Sequence, residues 1–282
     1  MARLSALAGS LLLVCLGTLY AQTPQASCTF HTYALSNNPD VFVTDVNNFG
    51  TVVGFADFGK SASPQFRAFI LYPDGNTVYW VPSGAKMSRF GGHNNQYAYT
   101  GVYVDSSNKS HAFVSRGLQN FTAITRPYGA IPAGVNKYLS VVGSYSDSNG
   151  NSHGFKRYSN GAVVHLNYPG AVGTYAVGVN DSGVIVGFYK GTDGAEHGFI
   201  NRNNTWAKLQ LPNAPLSTEL YGISNAGVIV GQGQAHAYLY ANGKAKEILV
   251  PGSTETDVRA IAPNGLIAGM SDNKHAFLAS CH

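Results

Sequence analysis

Three features of this sequence predict an all-β fold, a six-bladed propeller of four-stranded blades closed by its own amino-terminal strand. A nine-residue motif recurs six times along the 282 residues. A second, three-residue motif follows each copy. The composition is rich in turn-formers and short of charge, with 33 glycines and 11% charged residues, where ordinary domains carry roughly a quarter charged. That balance disfavours helical bundles and coiled coils. Single barrels and propellers often use a chain this long, so length alone does not divide it into two domains.

The nonapeptides are VNNFGTVVG from Val46, HNNQYAYTG from His93, VNKYLSVVG from Val135, VNDSGVIVG from Val179, ISNAGVIVG from Ile223 and IAPNGLIAG from Ile261. Their closing glycines, Gly54, Gly101, Gly143, Gly187, Gly231 and Gly269, are spaced by 47, 42, 44, 44 and 38 residues. Such a period marks solenoids and propellers. The second motif reads RAF at Arg67, HAF at His111, HGF at His153 and His197, HAY at His236 and HAF at His275. Five of the nine histidines share this slot. A turn and an apolar segment then end at Pro82, Pro127, Pro169, Pro212 and Pro251, and the sixth unit lacks that segment.

Within a unit, β-branched and aromatic runs of about five residues alternate with Asn, Asp and Gly turns, the pattern of short antiparallel strands. In the fourth unit the strands are expected near 175–179, 184–189, 196–201 and 206–211. The first turn there contains Gly183, which can take positive φ without a Cβ clash. Tyr97 and Leu139 stand at the same position in units two and three, so different turns are expected. The six units span 40–82, 88–127, 131–169, 175–212, 219–251 and 257–279.

Arg3 precedes an apolar run from Leu4 to Tyr20 and a polar flank at Gln22 and Thr23, the order of a secretory signal peptide over residues 1–21. Cleavage after Ala21 or after Gly17 would leave 22–28 as a short segment without structure of its own. The alternatives are a retained anchor, for which the run is short, and lipidation at Cys15, where Val14 is the wrong neighbour. Removal of the leader leaves Cys28 and Cys281, an even count suited to an oxidising compartment. A secreted or periplasmic location follows, with no membrane span after cleavage.

The missing outer strand of unit six has a donor in residues 29–35, Thr-Phe-His-Thr-Tyr-Ala-Leu. Placed beside 275–279, it would set Cys28 against Cys281 where other blades have a hairpin, and a disulfide would replace the turn. Closure also removes exposed sheet edges. An open β-solenoid is the rival layout, but it needs polar capping repeats and gains nothing from linked ends.

The core Gly178–Gly187 and the His-Ala/Gly-Phe triplet resemble the bacterial extracellular HAF-repeat family across residues 40–279. The resemblance implies secretion and repeated β structure. It brings no activity, ligand or catalytic residue. Arg67 in the histidine slot, and His93 and Thr100 at core positions of unit two, depart from the pattern and point to irregular loops in blades one and two.

Five histidines at one repeat position suggest a metal ring. The third strand of a blade, however, lies roughly 17 Å from the axis, which separates neighbouring imidazoles far beyond the roughly 2 Å of a metal–nitrogen bond. His111, His153, His197, His236 and His275 are therefore read as structural donors to loop backbone, with the next Ala or Gly letting blades approach and the Phe or Tyr filling the core. Asp147-Ser-Asn-Gly-Asn could present oxygens to calcium, yet lacks the distant bidentate carboxylate of an EF-hand and reads as a turn. No nucleophile elbow, phosphate loop, Cys-x-x-Cys or His-Glu-x-x-His occurs. No metal or cofactor is expected.

A net charge of +4 without a basic cluster gives no footprint for nucleic acid or another polyanion. Candidate ligand-binding residues are those expected on blade connections at the channel mouth: Arg89, His93, Tyr128, Tyr175, Tyr221 and Arg259. Glu219 and Asp257, each four residues before its unit's Ile, form the candidate catalytic pair, an acid and a base acting on a glycan. The plainer reading pairs both with Arg259. The preferred reading is a monomeric, secreted, non-catalytic binding or scaffold module that recognises carbohydrate or a surface protein at the channel mouth. A glycan hydrolase or lyase and a purely structural envelope protein are the alternatives.

Overall fold

A computed structural model describes residues 23–34, 40–59, 63–125, 129–214, 216–234, 236–272 and 275–281. The expected leader and Tyr128 lie outside them. The described residues form 24 strands in six separate four-stranded antiparallel sheets. The amino-terminal strand β1 (Cys28–Ala34) stands apart from the five sheets built of consecutive strands. Blade one comprises β2 (Asp40–Val46), β3 (Val52–Asp57), β4 (Phe66–Leu71) and β5 (Thr77–Trp80). Blade two is β6 (Ala85–His93), β7 (Ala98–Asp105), β8 (Ser110–Arg116) and β9 (Gln119–Ala123). Blade three is β10 (Ala130–Val135), β11 (Val141–Ser146), β12 (Ser152–Arg157) and β13 (Val163–Leu166). Blade four holds β14 (Gly173–Val179), β15 (Ile185–Lys190), β16 (Glu196–Arg202) and β17 (Thr205–Leu209). Blade five holds β18 (Thr218–Ile223), β19 (Ile229–Gly233), β20 (His236–Ala241) and β21 (Lys244–Ile248). The last sheet consists of β22 (Thr256–Ile261), β23 (Ile267–Ser271) and β24 (His275–Cys281), completed by β1.

The ring therefore closes between the two ends of the chain. β1 runs antiparallel to β24 over seven residue pairs, from Cys28 opposite Cys281 to Ala34 opposite His275. The Cys28–Cys281 disulfide spans Cα atoms 4.1 Å apart, and Phe30 packs edge-on to Phe277 at 5.7 Å. The segment just before β1 is also structured, contrary to expectation. Gln25 bridges to Glu247 in parallel, and Glu247 N–H donates to the Pro24 carbonyl at 2.9 Å. The exposed edge of β21 supplies unpaired backbone groups, and residues 24–26 satisfy them.

Burial follows position in the blade. Second strands such as β15 are sandwiched by sheets on both sides, so their sequences read as continuous apolar runs and Ile185, Val186 and Gly187 are all buried. The outer strand β9 is exposed throughout. The core is consequently distributed between blades: Val184, Val186 and Leu209 of blade four pack with Leu220, Ile229 and Tyr238 of blade five. Between blades six and one, Ala268, Met270 and Leu278 meet Val41, Val43 and Phe69.

The closing glycine and the aromatic residue of the triplet are cross-strand partners in every blade. Gly54 faces Phe69, Gly101 faces Phe113, Gly143 faces Phe155, Gly187 faces Phe199, Gly231 faces Tyr238 and Gly269 faces Phe277. All six rings are buried. A β-bulge in each innermost strand drives its carbonyl over the glycine; at Gly187 a Cβ would collide with the Tyr175 carbonyl oxygen and stand 3.0 Å from Phe199. The repeat glycine is thus a consequence of close packing, not of backbone conformation.

The asparagine of the nonapeptide links blades. Asn136 Oδ1 accepts from the amides of Tyr138 and Ser140 in its own turn, and its Nδ2 donates to the Asn180 carbonyl of the next blade at 3.1 Å. Asn94 and Asn180 donate in the same way to Asn136 and Ser224. Tyr97 and Leu139 keep this turn unchanged, with φ of 57° and 59° where Gly183 has 80°, so the expected difference in turn type is absent. The Asn-centred hydrogen bonds hold the turn in place, and side chains are carried in the left-handed region at an energetic cost. Blade two has two register shifts in β6 where the other innermost strands, that of blade one included, have one; the irregularity lies within a strand and not in the loops expected.

Candidate functional site

Six innermost strands enclose a central channel. Phe42, Arg89, Ile131, Tyr175, Glu219 and Asp257 occupy one position, each twelve residues before its closing glycine. Two residues further along, on the same strand face, stand Thr44, Gly91, Ala133, Val177, Tyr221 and Arg259. The first set rims one mouth and the second forms the waist. A cup of about 320 Å³ opens at this mouth, and Tyr221 at its base also lines the narrower space of about 180 Å³ beyond.

The cup has two unlike arcs. Phe42, Phe55, Ile131 and Met270 supply an apolar arc. Phe42 is 42% exposed and stacks on Phe55 at 4.8 Å, which leaves one ring face toward solvent. Arg89 belongs to this arc, with its guanidinium 4.7 Å from the Phe66 ring centre and 5.5 Å from that of Phe55. Burial against these rings lowers its pKa.

The other arc is a polar network on blades five and six that reaches Glu196 of blade four. Arg259 donates from Nε to Asp257 Oδ2 at 2.7 Å and approaches the same oxygen through Nη2 at 2.5 Å. Its guanidinium also covers the Tyr221 ring at 4.6 Å. Tyr221 Oη donates to Glu219 Oε2 at 2.6 Å, and Ser217 Oγ bridges Glu219 and Glu196, 3.4 Å from each. Burial pushes the Tyr221 phenol far above its usual range. Burial likewise raises the Asp257 carboxyl against the pull of Arg259, and raises Glu196, which also feels the Glu219 charge. Asp257 Oδ1 is buried without a hydrogen-bond partner.

The sequence-derived candidates are distributed unequally. Arg89, Tyr221, Asp257 and Arg259 line the cup, and Glu219 and Tyr175 share the rim position. Tyr175 stacks on Phe188 at 4.8 Å. Asp257 pairs with Arg259, whereas Glu219 is held by Tyr221 and Ser217, and its carboxylate neighbour is Glu196 of the preceding blade. His93 is a correction. It is 3% exposed and lies past the bulge, lining the narrower channel space rather than the cup, with Nδ1 3.8 Å from Asp45 Oδ2, no hydrogen bond to either ring nitrogen, and its ring stacked 6.0 Å from Tyr99. The apolar nonapeptide start packs between blades, and a histidine substituted there is carried inward with it. Phe42, Ile131 and Glu196 were not singled out by sequence, although the twelve-residue offset identifies the first two.

Four of the five triplet histidines bind side-chain carboxylates, not the loop backbone expected. His111 Nε2 lies 2.8 Å from Asp105, His153 Nε2 3.1 Å from Asp147, and His197 Nε2 2.9 Å from Asp193. His236 uses Nδ1 toward Glu247 at 2.6 Å. Arg67 instead lies 5.0 Å over the Phe58 ring. Each carboxylate belongs to the same blade as its histidine, and Asp147 also accepts from the amides of Asn149 and Asn151, so it is engaged as a turn cap. The bond to Asp147 raises the His153 pKa, and the same bond lowers that of Asp147. The raised histidine contributes stability that is complete below about pH 6.5 and fades as pH climbs through the folded value; the depressed carboxylate contributes above about pH 3.9 and fades in acid. Proton NMR titration is expected to place the His153 midpoint above about 6.5 and to return it toward that value in Asp147→Asn. A midpoint unmoved by the substitution would contradict the pairing.

No family model matches the chain, and no curated protein matches it. Solved propellers resemble it in fold. TolB from Acinetobacter baumannii aligns with a TM-score of 0.57 at 14% identity over 83% of this chain and 64% of that one. XC5397 from Xanthomonas campestris, described as a gluconolactonase, gives 0.53 at 9% identity over 93% and 95%. The Aleuria aurantia lectin, in complex with Fucα1-6GlcNAc, gives 0.50 at 13% identity over 86% and 94%. At such identities the likeness shows the fold alone. Among the described residues no helix is long and apolar enough to cross a membrane.

Proposed function

We propose that this protein is an exported, non-catalytic binding module that seats a carbohydrate in the cup at its channel mouth. The observation that carries the reading is the one-sided stacking of Phe42 on Phe55 beside the Arg89 and Asp257–Arg259 groups. A sugar needs both a flat apolar surface for its C–H face and directional polar groups for its hydroxyls. A concavity of about 320 Å³ suits one or two sugar rings better than a flat protein surface. The Cys28–Cys281 bond fits a periplasmic or extracellular home. The resemblance of the repeats to extracellular HAF-repeat proteins agrees with export, and the Aleuria lectin is a precedent for sugar binding on this fold. Glu219, already engaged by Tyr221 and Ser217, is better arranged to shape the rim than to attack a substrate.

A glycan array with the purified exported chain is expected to return a defined set of ligands. Phe42→Ala and Tyr175→Ala, both at the rim, are expected to weaken binding about tenfold while leaving the melting temperature within a few degrees. An array without any ligand, or affinities untouched in both variants, would dispose of the cup as a sugar site. Release of reducing ends or unsaturated sugar, abolished in Glu219→Gln or Asp257→Asn, would establish catalysis in place of simple binding.

A further inference from the structure

We infer that the sugar seated in the cup carries a carboxylate, a uronic acid residue whose acid group pairs with Arg89 and whose hydroxyl donates to Asp257 Oδ1. This assignment rests on the sugar-binding reading above. The cup contains two guanidiniums with different commitments. Arg259 is neutralised by Asp257 through Nε and Nη2. Arg89 has no carboxylate or hydrogen-bond partner among the described residues; it is held by the Phe55 and Phe66 rings, which offer no oxygen acceptor to its five N–H groups. A rigidly presented, weakly hydrated fork of this kind matches a carboxylate bidentately.

The second uncommitted group is Asp257 Oδ1, buried in the wall of the same cup and without a partner. A buried acceptor left empty is costly and is normally satisfied by a donor. Arg89 and Asp257 stand on blades two and six, and the stacked Phe42–Phe55 pair of blade one lies between them. The complement to this series is an anion, an apolar face and a hydroxyl donor on one small ring. A uronic acid presents all three. Neutral sugars would leave Arg89 without a counter-charge, and an aliphatic acid would leave Asp257 Oδ1 without a donor. Because the chain carries only +4 net and no basic cluster, recognition would be of one carboxylate at one position and not of a charged polymer's field, so affinity should fall only weakly with salt.

The test is isothermal titration calorimetry with oligogalacturonate, oligomannuronate and oligoglucuronate, each beside its carboxyl-reduced counterpart, and with oligoglutamate. At least one uronate is expected to bind about tenfold or more tighter than its reduced form. In Arg89→Gln that preference should vanish while the reduced sugar keeps its own affinity, and Arg89→Lys should restore part of it. If reduced and acidic forms bind alike, or Arg89→Gln weakens both equally, the carboxylate assignment falls and the sugar site stands. Oligoglutamate binding as tightly as the best uronate would transfer the site to acidic peptides and overturn the assignment. Silence from every glycan here and on the array would remove the sugar-binding reading itself.

Discussion

Gly187→Ala is expected to cost about 4 kcal/mol or more, enough to prevent accumulation of folded protein, from the addition of a single methyl group. The new Cβ would enter the Tyr175 carbonyl oxygen and press on the Phe199 ring, both fixed elements of the blade interior. Neither can yield: the carbonyl belongs to the paired innermost strand just before its bulge, and the ring is fully buried. Gly194→Ala provides the contrast. That glycine sits in a turn with φ of 80° and open space around it, so only the conformational term of about 1 kcal/mol applies. Denaturant melts of the two variants would separate steric exclusion from backbone strain. A Gly187→Ala protein as stable as Gly194→Ala would refute the packing account of the repeat.

Removing the Cys28–Cys281 bond, as a double serine variant, is expected to lower stability by about 5 kcal/mol. The bond links positions 253 residues apart, and constraining so large a loop removes much of the unfolded chain's entropy. The loss should be localised in its consequences. Without the covalent tie, β1 is held to blade six only by its strand pairing with β24 and by packing such as Phe30 on Phe277. Hydrogen exchange should therefore show β1 amides opening before those of β23, and the ring should fail at that seam. A variant within about 1 kcal/mol of the parent, or one in which all blades open together at the original rate, would show that closure does not depend on the link.

Both effects trace to features already visible in the repeat, but for unequal reasons. The six glycines and six triplets recur because each blade solves the same packing problem, and recurrence is readable from one chain. The pairing of Gly187 with Phe199 is not, since it requires the register of two strands. The same division applies to the site. Arg89, Tyr221, Asp257 and Arg259 were found by counting along blade connections, and they do meet in one cup. His93 lines the narrower channel space and not the cup, because a bulge follows Phe90 and one extra residue changes where the next side chain is presented. Glu196 carries no signal in the repeat, because it stands on the third strand of blade four and meets Glu219 through Ser217 only across the gap between blades.

By itself the amino-acid sequence determined the number of blades, the order of strands within them, and the seam where the two ends of the chain meet. These follow from periodicity, alternation and the position of two cysteines, all of which are local or additive along the chain. Only the tertiary structure decided which rim groups are spent on one another and which are left for a ligand. Arg259 and Arg89 are both arginines of innermost strands, yet one is satisfied by Asp257 and the other faces aromatic rings. The Asp257–Arg259 pair lies two residues apart on one strand, where spacing already allowed it, whereas the rings that hold Arg89 come from the neighbouring blade, and no spacing along a single strand encodes that contact.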